Sequence, residues 1–278
     1  MVNDLHSARY QASRPWAKRV AQLFTQLAGR EEACAQAAQV VQRELAQLAE
    51  LYTINDTQRE TEFVLAEAYG LFVRDGRRAM AWAPELAQAL QHTRPLAALP
   101  AVLPLPAGTF LLSLPGEAGS AAAYVTHDAA AQRLDILLLM PDFAPPGVPC
   151  HQRMEAALTL GVAYPGSVQV PDSPALASWK PWLETLFAGL AMLAQPQLTL
   201  AAQWQPAPSA ADAQLLHSGS ARDKQRVRAA LLKAGAQEVL LAQRDGLLPL
   251  GGQVKAGYWR TQAGKAGERL VWVAPRPA

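Results

Sequence analysis

Four prolines within a dozen residues divide this sequence into two parts with different hydrophobic patterns. So high a density of proline forbids a regular helix, because each ring fixes φ and removes a backbone donor. Upstream of these prolines, apolar residues recur at spacings of three and four, as on the buried face of an amphipathic helix. We therefore predict an antiparallel layer of helices in the first hundred residues. The prolines are Pro95, Pro100, Pro104 and Pro106, and the predicted helices cover about 15–27, 31–52, 55–76 and 84–90.

Downstream of the prolines, short apolar runs alternate with clusters of turn residues. This alternation is typical of the strands of an antiparallel meander. One longer stripe, from Pro174 to Ala194, has helical spacing and is expected to pack across the sheet. The predicted strands are 109–114, 122–126, 134–140, 166–170 and 198–200.

The last quarter of the chain has a different composition. Residues 203–220 are rich in Ala, Pro, Gln and Ser, which favours a surface linker or loop. A basic helix from Arg222 to Ala234 follows. Strands at 239–241, 254–260 and 269–273 are expected to give this region a small sheet of its own.

The sequence thus predicts an α+β fold. It combines an N-terminal antiparallel helical layer, a central antiparallel sheet with a long packing helix, and a small basic C-terminal αβ unit. The corresponding segments are a helical region at 1–98, the sheet with its long helix at 99–202, and the linker with the basic unit at 203–278.

Composition excludes several classes of protein. Half of the 278 residues are hydrophobic, but apolar runs such as Ile136–Met140 fall far short of the roughly 20 residues that cross a bilayer. The N-terminus lacks the basic and apolar regions of a secretory signal. Two cysteines, Cys34 and Cys150, are too few for a metal cluster or a disulfide framework. We expect a cytoplasmic protein with no membrane partner and no cofactor.

Charge is distributed unevenly along the chain. Residues 1–220 carry 14 Lys and Arg against 19 Asp and Glu, whereas residues 221–278 carry 11 against 4. A basic end on an acidic body suggests an anionic partner, although it also fits a solvated surface. The basic helix supplies the predicted contacts to RNA or phosphate, which are Arg222, Lys224, Arg226, Arg228 and Lys233.

Catalytic residues are sparse. No two histidines have the i, i+4 spacing that holds a metal from one helix. The nearest approach to a catalytic cluster is His127 and Asp128 with Asp135, Asp142 and His151, a set of residues that could serve as acid, base or metal ligand. Asp128, however, stands in a predicted turn, where Asp commonly bonds to its own backbone.

The C-terminal segment combines aromatic and basic residues. Gly257-Tyr258-Trp259-Arg260, the glycines at 264 and 267, and residues 269–275 predict a hairpin with a Gly-rich, basic turn. Exposed Trp and Arg are common at interface hot spots and on stacking surfaces. The alternative is a closing hairpin whose tryptophans turn inward. The predicted partner-binding residues are Tyr258, Trp259, Arg260, Arg269 and Trp272.

At these residues the sequence resembles the type V-A anti-CRISPR proteins of the second kind, which are carried by phages and plasmids. In that family a basic stretch leads to Gly-His-Trp, a Gly-containing turn and a strand with a late Trp and Pro. Gly257-Tyr258-Trp259 and the segment from Trp272 to Pro275 fit this layout, with Tyr258 in place of the usual His. Further matching elements are Leu112-Ser113-Leu114-Pro115 before a strand with Tyr124, and the apolar helix that ends before Gln195-Pro196.

The resemblance implies a protein that is not an enzyme. Members of the family suppress production of the type V-A effector nuclease by recognising its nascent N-terminal peptide, with loss of the transcript. The hypothesis is therefore a regulatory protein of a mobile element that binds a protein or nascent peptide, with mRNA or the ribosome as further partners. The alternatives are a metal-dependent hydrolase or nuclease built on His127, Asp128, Asp135 and His151, and an antitoxin-like or scaffold module.

Overall fold

The structure is a computed structural model that describes residues 5–116, 119–140, 156–168, 170–264 and 267–278. Its described part forms eight α-helices, most of them in the first hundred residues and around the long apolar stripe. The helices are α1 (His6–Ser13), α2 (Ala17–Gln26), α3 (Arg30–Ala49), α4 (Asp56–Arg74), α5 (Pro84–Gln91), α6 (Lys180–Met192), α7 (Ala210–Ser218) and α8 (Ala221–Lys233).

A seven-stranded mixed sheet runs through the middle of the molecule, in the order β6-β5-β4-β3-β1-β9-β8. Its strands are β1 (Arg78–Trp82), β3 (Thr109–Gly116), β4 (Gly119–Asp128), β5 (Arg133–Leu139), β6 (Ala157–Ala163), β8 (Leu198–Gln205) and β9 (Gln237–Arg244). Three two-stranded ribbons accompany it: β2 (Ala98–Leu99) with β7 (Gly166–Ser167), β10 (Val254–Lys255) with β13 (Arg276–Pro277), and β11 (Tyr258–Gly264) with β12 (Gly267–Val273).

Helices cover both faces of the sheet and divide the core into two layers. On one face, α1 to α4 pack against alternate sheet residues such as Ala79, Tyr124 and Val239. On the other face, α5, α6 and the β11–β12 hairpin pack against the intervening residues, among them Met80 and Leu112. The central strands are therefore buried on both sides, which explains why they are continuously apolar, whereas the edge strands β6 and β8 are partly to fully exposed.

The predicted α+β class is confirmed, and the helices at the start of the chain lie close to their predicted positions. Asn55 caps α4, because its side chain accepts a hydrogen bond from Gln58 N while the Gln58 side chain accepts one from Asn55 N. α1 was not predicted. The helix predicted from Pro174 to Ala194 is shorter than expected, because a 3-10 turn at Pro174–Leu176 precedes α6.

The central sheet is mixed, whereas the sequence predicted an antiparallel one. The difference comes from β1, which was missed and which pairs in parallel with both β3 and β9. This strand has only five residues between Gly76 and Pro84. A short, fully buried strand carries no alternation that distinguishes it from a helix end.

The C-terminal quarter also contributes to the central sheet. The prediction placed β9 in a separate small sheet, but β9 lies between β1 and β8 because its Val239, Leu240 and Ala242 fit the central apolar layers. The irregular surface segment predicted at 203–220 contains the end of β8 and the helix α7. Strands from all three predicted segments thus share one sheet.

Other predicted features fall partly outside the described residues. The proline-rich loop at 141–149 lies there, as do Asp142, Cys150 and His151. The strand predicted at 166–170 is the two-residue β7, which pairs with β2 and not with the central sheet. Within the described ranges, none of the helices has the length and apolarity that crossing a bilayer requires.

Candidate functional site

The β11–β12 hairpin separates the five predicted partner-binding residues onto two faces. Opposed residues share a face and successive residues alternate between faces. Tyr258, Arg260 and Arg269 therefore share the outer face, and all three are exposed. Trp259 and Trp272 stand directly opposite each other on the inner face, which packs against the layer formed by α5 and α6.

The expected exposure of the indoles is wrong for Trp272, which is only 2% exposed. Its Nε1 donates to Thr93 Oγ1 at 3.1 Å, and its backbone N donates to Gln195 Oε1 at 3.0 Å. Gln195 Nε2 in turn donates to the carbonyl of Leu270 at 3.1 Å. Trp272 therefore anchors the hairpin to the ends of α5 and α6, and a partner cannot contact it without displacing this packing.

Trp259 remains partly accessible but has an unsatisfied polar atom. Its ring centroid lies 6.3 Å from that of Trp272, and the two ring planes are tilted by 36°. Its Nε1 is buried and has no hydrogen-bond partner among the described residues. A buried indole N–H usually finds a partner, so this donor is unusual.

Arg244, the last residue of β9, lies beside the Trp272 indole of the hairpin. Its guanidinium carbon lies 4.6 Å from the ring centroid of Trp272, a cation–π arrangement. Its Nη1 is buried and, within the described chain, has no hydrogen-bond partner. Burial lowers the pKa of Arg244 below its ordinary value, because the charged form has lost part of its hydration.

Trp82 adds a third donor at the same edge of the sheet. It ends β1, where it pairs with Ala242, and Arg244 follows two residues further on the same face. Trp82 Nε1 is likewise buried, with no hydrogen-bond partner in the described ranges. We call Trp82, Arg244, Trp259 and Trp272 the indole–guanidinium cluster. Trp82, Arg244 and Trp259 of this cluster thus carry buried donors without a partner among the described residues, although buried donors are nearly always satisfied in proteins.

Arg244 stands out in the sequence by its place in the apolar pattern of β9. Leu240 and Ala242 are inward-facing residues of β9, and Arg244 continues their period-two pattern just before the turn at Asp245-Gly246. An arginine at an inward-facing strand position is uncommon without a partner. Gln195, which directly follows the α6 region, carried no comparable signal.

The predicted RNA contacts on α8 also divide into two groups. Lys224 and Arg228 line cavities between α8 and the sheet, and Lys233 lines a cavity between the end of α8 and the helices α1, α2 and α4. Arg222 and Arg226 are exposed and line none of these cavities, and Arg226 pairs with Asp223 at 3.2 Å.

The residues of the hydrolase alternative are held in other interactions. Asp128 Oδ1 accepts hydrogen bonds from the backbone N of Ala130 and of Ala131, the turn role expected from its position. Asp135 pairs with Arg133 at 2.8 Å, and His127 contacts the Tyr164 hydroxyl. Across the described residues there is no group of three or more His, Cys, Asp or Glu that could hold a metal ion. His151 lies outside them.

Comparison of the chain with protein-family models, with curated proteins and with solved structures finds no match.

Proposed function

We propose that this protein is a non-enzymatic, anti-CRISPR-like regulator of a mobile element that binds a nascent peptide or a ribonucleoprotein and suppresses production of its target. Binding occurs at Arg244 and the partly exposed Trp259 of the indole–guanidinium cluster, and at the outer face of the hairpin. The protein acts in the cytoplasm, where nascent chains are available.

The observation that carries this proposal is the set of buried donors without acceptors on Arg244 and Trp259. A peptide offers what these donors need, since its backbone carbonyls and carboxylates are strong acceptors. The partly exposed ring of Trp259 also supplies apolar contact area beside the guanidinium, as in typical hot spots. The cluster is rigidly supported, because Thr93 and Gln195 fix Trp272 through hydrogen bonds. A preformed site loses less entropy when the peptide binds.

The outer face of the hairpin provides a second set of contacts, on the side opposite Trp259 and Trp272. Tyr258 is 42% exposed, and Arg260 and Arg269 project from the same face. Exposed guanidinium groups form charge-assisted hydrogen bonds with carboxylates or phosphates. This face therefore suits contacts with the parts of a peptide or ribonucleoprotein that flank the bound segment.

The test is capture by the full-length chain from a translating lysate, with a second lysate in which nascent chains have been released. Enriched peptides are then synthesised, and their affinity is measured by fluorescence anisotropy. We expect Arg244→Met to weaken peptide binding by at least tenfold, because it removes a charged, partly buried donor. The matched control is Arg43→Met, which removes an exposed arginine of α3 far from the cluster in sequence and leaves binding unchanged.

Two results would overturn the proposal. One is equal affinity of the wild type and Arg244→Met for every enriched peptide. The other is degradation of naked RNA by the purified protein with a divalent metal, lost in Asp128→Ala, which would establish the hydrolase alternative instead.

A further inference from the structure

A second, strongly basic surface lies at the opposite end of the parallel strand pair. β1 and β9 run in the same direction, so both begin at one edge of the sheet and end at the other. The indole–guanidinium cluster lies where they end. Since β9 has eight residues, the two edges are roughly 23 Å apart at the usual rise of a strand.

Three adjoining cavities open at the edge where β1 and β9 begin, with volumes of about 370, 560 and 780 Å³. Trp204, Arg228 and Glu238 line both the first and the second, and Gly76 and Leu232 line both the first and the third. We call this continuous surface the basic cleft. It is built from residues of α1 and α2, the α4–β1 junction, the segment before β3, the end of β8, and α7 and α8 with the turn that follows α8.

Basic side chains dominate the cleft. It has seven lysines and arginines against two carboxylates, which belong to Asp75 and Glu238. The seven are Lys18, Arg74, Arg77, Arg78, Lys224, Arg228 and Lys233.

Both carboxylates are already neutralised by neighbouring cations. Glu238 is 3% exposed and is held between Arg78, whose Nε lies 3.2 Å from Oε2, and Arg228. Asp75 Oδ1 lies 3.0 Å from Arg74 Nε. The remaining cations therefore create a net positive field. A concave surface with low-dielectric walls focuses such a field.

Several of the remaining cations are available to a ligand. Lys18, Lys224 and Lys233 have no ion pair among the described residues. Arg77 is fixed by neutral groups only, since its Nη1 donates to Gly235 O at 3.1 Å and contacts Gln11 Oε1. None of these four side chains is paired with a carboxylate among the described residues, so all four can contact an anionic partner.

Trp204 indicates which class of anionic ligand the cleft binds. Its indole is partly exposed and stands between two of the cavities. An aromatic face among spaced cations is the arrangement that binds single-stranded nucleic acids, where a base stacks on the ring and phosphates contact Lys and Arg. An acidic peptide would use the same charges but has no general need for the indole.

We propose that the basic cleft binds a single-stranded nucleic acid, with Trp204 stacking a base and Lys18, Arg77, Lys224 and Lys233 contacting phosphates. This site goes beyond the proposed peptide recognition and is separate from it in space. Each can therefore fail without the other.

The test is fluorescence anisotropy of the full-length protein with a labelled 12-nucleotide RNA and a DNA of the same sequence, at several salt concentrations. With four phosphate contacts, the logarithm of affinity is expected to fall against the logarithm of salt with a slope of about −3. Trp204→Ala is expected to weaken binding roughly 5- to 150-fold. Equal affinity for both probes means that the cleft recognises the shared backbone and bases, whereas tighter RNA binding identifies RNA as the ligand.

A pair of double variants separates the cleft from general electrostatic attraction. Lys224→Gln with Lys233→Gln removes two cleft charges and is expected to bring the slope to about −1.5. Arg222→Gln with Arg226→Gln removes the same charge from the same helix, but outside the cleft, and is expected to change affinity by no more than about twofold. Circular dichroism verifies that both variants are folded.

Three results would overturn the proposal. The first is an affinity for RNA that does not depend on salt concentration. The second is an equal loss of RNA affinity in the two double variants. The third is displacement of the RNA by an acidic peptide of equal charge at equal concentration. The last result would assign the cleft to a polypeptide.

Discussion

Replacing Arg244 with Met is expected to stabilise the protein while weakening its binding to a peptide. A buried donor without a partner costs about 1–3 kcal/mol, and the lower end applies because the Arg244 side chain is only partly buried. The lost cation–π contact with Trp272 is worth about 0.5–1 kcal/mol. A methionine sulfur over the same ring returns about 0.3–1.5 kcal/mol. The two aromatic contacts nearly cancel, so the free energy of unfolding should rise by about 1 kcal/mol.

Urea unfolding followed by far-UV circular dichroism measures this change. The backbone signal is preferable to tryptophan fluorescence, because Arg244 lies over Trp272 and its replacement would alter the emission directly. For a chain of this size, 1 kcal/mol corresponds to a rise in Tm of about 2 °C. The control is Arg269→Met, an exposed residue of the hairpin whose replacement should leave stability unchanged within about 0.5 kcal/mol.

A loss of more than about 1 kcal/mol in Arg244→Met would refute this reasoning. It would mean that the guanidinium stabilises the folded state through Trp272 and that its buried Nη1 carries little penalty. The donor without a partner would then be no evidence for a missing acceptor, and the proposed site would lose its main support.

Three further predictions concern the helical layer. Glu62→Ala removes the bidentate partner of the buried Arg14 and should cost about 3–5 kcal/mol in urea unfolding; a loss below about 1 kcal/mol would contradict this. Gly70→Ala places a methyl group against the Phe24 ring, where α2 and α4 meet, and should cost about 1–3 kcal/mol by the same assay. Burial raises the pKa of the Cys34 thiol to about 11, with the charge of the neighbouring Glu67 adding to this. Iodoacetamide at pH 8 should therefore modify Cys34 roughly 100-fold more slowly in the native than in the unfolded protein, and faster as the pH approaches 11, as followed by mass spectrometry.

Local patterns predicted the elements of the fold better than their arrangement. The helices from α2 to α5 follow from apolar spacing, and the Asn55 cap follows from residue type. The position of β9 in the sheet could not be predicted from local sequence, because strand order depends on how distant segments pack together. β1 joins the two halves of the sheet through only five residues, so missing it also hid the parallel pairing.

For the candidate site, the sequence predicted the hairpin but not the roles of its residues. The register opposes Trp259 and Trp272 and so places both on one face, but which face turns inward depends on Thr93 and Gln195, residues distant in the chain. Arg244 was missed for a related reason. Its importance comes from its position over Trp272, and no spacing rule connects residues 28 positions apart on different sheets.

The two proposed sites are joined by the parallel strands β1 and β9, and this has a consequence for affinity. β9 begins beside the basic cleft and ends at Arg244, and it is paired on both sides, by β1 and by β8. A strand held in this way keeps the two sites at a fixed separation of roughly 23 Å. When a peptide and a nucleic acid belong to the same assembly, binding at one site raises the effective concentration at the other, so two weak contacts combine into tight binding without any conformational change. A free peptide or a free RNA engages only one site. The geometry therefore favours a ribonucleoprotein carrying an exposed peptide over either component alone.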